Sequence, residues 1–128
     1  MNKRVFALIC LLSVGLHACK ITVKVHSDTL TPFRFQIFVP GLKQQSEQIT
    51  FNGRGDREIK IAGKVCNMRH WSFKTWKQAA DGQWVLARET KGKYEGEGWF
   101  RVHIKDDLAP FLLERMGIMC SEGTIGGC

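Results

Sequence analysis

A chain of 128 residues, 44% apolar and 24% charged, has the length of one domain and is too mixed for a disordered tail or a collagen-like repeat. Its formal net charge of +7 comes from Lys and Arg scattered along the chain rather than massed in one run. That pattern argues against a nucleic-acid partner and allows weak polyanion binding.

Met1 to Arg4 carry two positive charges, Val5 to Leu16 form an apolar run, and His17-Ala18 set a small residue before Cys19. This reads as a secretory signal peptide over 1–18, followed by a single disulfide-containing β-sandwich domain over 19–128. The run is too short to span a bilayer, and no later segment approaches the length of a transmembrane helix. The expected location is therefore secreted and extracellular. Without Lys3 and Arg4, 17 basic residues face 12 acidic ones, a net charge of +5. Leu16-His17-Ala18-Cys19 also has the outline of a bacterial lipobox, in which Cys19 would be acylated, although His17 occupies a position that usually takes a small residue.

Removal of the leader discards Cys10 and leaves Cys19, Cys66, Cys120 and Cys128, an even number in an oxidising compartment, so two disulfides are expected. The favoured pairing is Cys66 with Cys120 and Cys19 with Cys128, because chain ends often meet in a small sandwich. The rival is a local Cys120 to Cys128 loop. Neither CxxC nor HxxxH spacing occurs, so no metal site is expected and His26, His70 and His103 read as strand or loop residues.

Period-two alternation then runs through the chain. Lys20 to His26 and Phe33 to Val39 read as strands separated by a turn at Asp28 to Pro32. Gln48 to Phe51 and Arg57 to Ile61 read as a hairpin, with Phe51 facing Arg57 and Ile49 meeting Ile59. Asn52 to Asp56 would then be a five-residue loop presenting Arg54-Gly55-Asp56, the tripeptide of integrin-binding loops. His70 to Lys77 and Gln83 to Arg88 read as a second hairpin about a type I′ turn at Asp81-Gly82. That turn opposes Trp76 to Ala87 and Lys74 to Glu89 on the solvent face, leaving Trp71, Phe73, Trp84 and Leu86 for the core. Trp76 becomes a candidate partner contact. Trp99 to Ile104 closes the set of strands, and Asp106 or Asp107, Pro110 and Gly117 mark the cap, first turn and stop of one short helical piece. Together these predict an all-β, two-sheet antiparallel sandwich of about seven strands with one short C-terminal helical turn.

Catalytic motifs are missing. There is no Gly-x-Ser-x-Gly elbow, Gly96 and Gly98 lack the spacing and following helix of a phosphate loop, and Asp106-Asp107 and Glu95 with Glu97 read as turn or edge residues. No enzyme activity, catalytic residue or cofactor is expected.

The alternating strand after the leader, the central Cys66, Asp106-Asp107-Leu108-Ala109-Pro110, and Arg115-Met116-Gly117-Ile118-Met119-Cys120 ahead of a last cysteine give a pattern that resembles a group of small secreted nematode proteins of uncharacterised function. The long Cys120 to Cys128 spacing departs from that group. The resemblance implies an extracellular β-rich module without catalytic residues. The functional expectation is a secreted binding module with a protein or cell-surface partner, reached through Arg54, Gly55 and Asp56 or through Trp76. The alternatives are a lipid or hydrophobic-ligand carrier, for which Phe33, Phe35, Ile37 and Trp99 would line a pocket, and a lipoprotein anchored at Cys19.

Overall fold

The computed structural model describes residues 19–123; the leader expected over 1–18 and Cys128 lie outside them. The strands are β1 (Cys19–Ser27), β2 (Phe33–Val39), β3 (Gln44–Gln45), β4 (Ile49–Phe51), β5 (Gly55–Gly63), β6 (Trp71–Gln78), β7 (Trp84–Ile104) and β8 (Pro110–Gly123). They form one curled mixed sheet in the order β3-β2-β6-β7-β1-β5, with β4 also on β2 and β8 also on β7. The all-β expectation holds. The two separate antiparallel sheets do not, because β7 runs through both halves and β1 pairs with it in parallel.

β7 is the spine. Its first half pairs with β6, from Gln78↔Trp84 to Trp71↔Gly92, and its second half is flanked by β1 and β8. The sheet curls between the halves, so Trp71 and Phe73 of β6 reach Phe100 of β7 at ring-centroid distances of 6.0 Å, although neither is its register partner. Tyr94 stacks on Phe100 at 4.8 Å and fills the inside of the bend. Around this cluster lie Ile21, Val23 and Val25 of β1, Phe33, Phe35 and Ile37 of β2, and Val102, Ile104 and Leu112, all essentially inaccessible. Alternation sends their neighbours outward.

Glycines permit the curl where β7 crosses β8. Gly96 and Gly117 have φ of +117° and +74°, and a Cβ on Gly98 or Gly117 would stand 1.9 or 2.1 Å from a backbone carbonyl oxygen of the facing strand. Pairing breaks between Gly96 and Trp99 accordingly.

Several expectations are corrected here. The stretch from Pro110 to Gly117 is strand, not helix: Pro110, Leu112 and Ile118 are buried against β7, and Gly117 serves a bulge instead of a helix stop. The helical element observed is a 3-10 turn at Pro40–Leu42. β4 and β5 are not a hairpin; β4 pairs with β2 (Phe35↔Ile49) and β5 with β1 (Val23↔Ile59). In the second hairpin, Gly82 donates its N–H to Ala79 O and Ala79 to Gln83 O, with Gly82 at φ +87°, so the loop holds more residues than a type I′ turn. The register shifts to Trp76↔Leu86, and a bulge between Thr75 and Trp76 restores Lys74↔Glu89. A one-residue slip exchanges faces. Trp84 and Leu86 therefore leave the core, Leu86 being 53% exposed, while Trp71 and Phe73 stay inside.

Cys66 pairs with Cys19, not with Cys120, and both are buried. The bridge fastens the start of β1 to the loop before β6, whose Trp71 Nε1 donates to Cys66 O at 2.7 Å. Cys120 is also disulfide-bonded, which removes the expected partner of Cys66 from consideration; its own partner is outside the described residues.

Candidate functional site

The inward apolar residues of β1 and β7 dictate which side chains stand on the convex face. With Val23 and Val25 inside, Lys24 and His26 point out; with Phe100, Val102 and Ile104 inside, so do Arg101 and His103. Parallel pairing sets His26 directly beside His103, and β5 brings Asp56 to the other side of His26. One residue pair along, Arg101, Lys24 and Glu58 form a second row. The rows line an open groove of about 440 Å³ that also takes in Arg57.

In the first row, His26 Nδ1 lies 2.7 Å from Asp56 Oδ1, and the two imidazole centroids are 4.9 Å apart. A carboxylate at Nδ1 fixes the tautomer with the proton on that nitrogen and leaves Nε2 as a free base. His103 Nε2 is buried with no hydrogen-bond partner among the described residues. Burial lowers the affinity of His103 for a proton, helped by His26, Arg101 and Lys105, while Asp28 opposes the shift. In the second row Lys24 Nζ sits 4.5 Å from the Trp99 ring centroid and Arg101 Cζ 5.6 Å, and Arg101 is ion-paired to Glu114. The groove lining holds bases, acids and cations but no hydroxyl or thiol nucleophile.

Trp99 is therefore an outward platform, not a core or pocket residue. Arg54 and Asp56 have side chains 68% and 78% exposed, yet Gly55 and Asp56 begin β5, paired with Ser27 and His26, and Arg54 leans toward Asp28 at 3.8 Å. The tripeptide is thus part of a strand start and not the tip of a five-residue hairpin loop. Trp76 stands half-buried on the opposite half of the convex face, opposed to Arg34, whose guanidinium lies 4.4 Å from the Trp84 ring. His70 is remote from the groove, beside Glu122 at 3.1 Å. Asp106 accepts from Thr29 Oγ1 and Asp107 from the Ala109 N–H, so both brace the turn into β8. Cys19, Cys66 and Glu95 lie within 4.8 Å of one another, but sulfurs joined in a disulfide cannot ligate as thiolates; Glu95 instead accepts the Cys66 and Asn67 N–H groups.

No protein-family model and no curated protein matches the chain. Among solved structures it is similar to one described as a Gram-negative toxin, at 17% identity and TM-score 0.35 over 75% of this chain and 23% of that one. It is also similar to the human-specific toxin intermedilysin, at 14% identity and TM-score 0.33 over 77% and 23%. The chain spans less than a quarter of the length of either protein. A likeness at this level carries no conclusion about activity.

Proposed function

We propose that the chain is an exported extracellular module that acts by binding a protein or cell-surface partner through its convex face. The observation that carries this reading is the filled interior: Phe33, Phe35 and Ile37, which a carrier would need around a ligand, are fully buried against their neighbours, and Trp99 faces away from them. The large grooves lie on the charged exterior. A sulfur bonded to Cys66 has no valence left for a lipid thioether, which speaks against anchoring at Cys19. No helix among the described residues is long and apolar enough to cross a membrane.

Labelled protein beginning at Cys19 is expected to bind cells or extracellular matrix saturably and to take up no equivalent of a fluorescent fatty-acid analogue. One-to-one uptake of that probe, or no saturable surface binding, overturns the reading. Engagement through Arg54, Gly55 and Asp56 is its narrower form, supported by the exposure of both charged side chains and opposed by the strand geometry at Asp56. Equal adhesion to the unmodified protein and to Asp56→Glu removes that form alone.

A further inference from the structure

We propose that His26 and His103 form a two-imidazole site for a divalent transition-metal ion, with Asp56 as a positioning residue for His26. The inference does not depend on the identity of any binding partner. Metal–nitrogen bonds of about 2.1 Å, with each nitrogen about 1.1 Å from its ring centre, place two imidazole centroids about 4.5 Å apart at a right-angle geometry and about 5.2 Å apart at a tetrahedral one. The centroids of His26 and His103 are 4.9 Å apart, inside that interval. Two histidines opposed across paired strands need no sequence spacing to achieve this, only register.

The donor set is prepared in other ways. Asp56 Oδ1 at Nδ1 holds His26 in the tautomer whose Nε2 is free to ligate, the carboxylate–histidine arrangement that orients and strengthens metal ligands. The His103 Nε2 has no proton donor or acceptor to satisfy it among the described residues. Four cations face the pair: Lys24 from β1, Arg101 from β7, Lys105 just beyond the end of β7, and Arg57 from β5. Asp28, Asp56 and Glu58 oppose them, and Glu114 of β8 neutralises Arg101. The local charge is near balance, so a metal is held by the nitrogen donors and not by a field of carboxylates. Imidazole donors select copper(II) or zinc over magnesium or calcium, with copper the tighter. Water completes the coordination sphere of an ion bound by two protein ligands.

The test uses the oxidised, tag-free protein beginning at Cys19, titrated calorimetrically with zinc chloride and with copper(II) glycinate at pH 7.5 and 5.0. One saturable equivalent is expected at the higher pH, weakened at the lower pH because protons compete with a metal for imidazole nitrogen, and unaffected by excess magnesium. His26→Ala and His103→Ala each abolish it, His70→Ala leaves it, and Asp56→Asn weakens it about 10- to 100-fold. Nitrogen resonances of both imidazoles in the unmutated protein shift together on zinc addition, which reads the site without relying on any variant folding. No saturable binding of either ion, or binding that persists in the His26→Ala/His103→Ala double variant, overturns the site. Unchanged affinity in Asp56→Asn overturns the positioning role.

Discussion

Tyr94 is the one tyrosine in the chain, it is fully buried, and its hydroxyl has no hydrogen-bond partner among the described residues. The oxygen rests against the backbone of Gly92, where a Cβ would stand 2.2 Å away. An unpaired buried hydroxyl costs about 1–3 kcal/mol of desolvation. Tyr94→Phe removes that cost, keeps the ring on Phe100, and loses only the dispersion contacts of one oxygen, so the variant is expected to be about 1–2 kcal/mol more stable. In a domain of this size that corresponds to a melting temperature raised by roughly 4–8 °C per kcal/mol. Urea denaturation should show a higher midpoint with an unchanged slope. Burial also pushes the phenol's pKa far above its ordinary value of 10.0, and Arg115 only partly offsets this. With no second tyrosine to mask it, the ultraviolet tyrosinate signal should be absent through mildly alkaline pH and appear only as the protein unfolds. A Tyr94→Phe variant that is less stable by 1 kcal/mol or more, or tyrosinate formed in the folded protein near the ordinary value, would show that the hydroxyl is satisfied and the reasoning wrong.

Trp71→Ala should cost about 3–5 kcal/mol as a core truncation, whereas Trp84→Ala should cost about 1 kcal/mol, mostly its contact with Arg34; equal losses by chemical denaturation would refute the bulged register. Replacing Cys19 and Cys66 together by alanine opens a loop spanning 47 residues of separation and should lower stability by about 4 kcal/mol on the chain-entropy model. Loss below 1 kcal/mol in the same assay would place the stabilising crosslink elsewhere. His103 titrates below its ordinary value when folded, so the unfolded chain binds more protons. Its contribution is therefore intact above pH 6.5 and lost as pH falls through the folded pKa, a slope in melting temperature that His103→Gln should flatten.

Much of the strand layout was legible because alternation is local. Phe33 to Val39 was expected as a strand and is one, and β1 and β6 differ from expectation by about a residue at each end. What failed was glycine and proline. Gly92, Gly96 and Gly98 dilute the alternation of β7 and read as loop, yet they are there because β8 and the Tyr94 ring come too close for a Cβ. Pro110 and Gly117 occupy the positions that bracket a helix, and the run of exposed residues between Leu112 and Ile118 hides a bulged strand. The Asp81-Gly82 pair signalled a turn correctly but not its length, and length decides which face receives Trp84 and Leu86.

The candidate site was illegible for a different reason. Lys24 and His26, like Arg101 and His103, could be assigned to the wet side of their strands from the apolar residues between them, since that depends only on neighbours in the chain. Which strands lie side by side depends on the crossover that brings β1 alongside β7 in parallel, and no local pattern encodes it. Spacing rules for metal ligands presuppose one helix or one hairpin, so two histidines on distant strands pass through them unseen. Asp56 illustrates the same point. Within Arg54-Gly55-Asp56 it reads as a loop carboxylate aimed at a receptor-bound cation, whereas the β1·β5 register makes it the hydrogen-bond partner of His26. Both readings use the same charge. Register sets the nearer competitor for it: a receptor would have to draw the carboxylate away from an imidazole already at 2.7 Å, while a metal on His26 Nε2 would leave that contact in place and strengthen it.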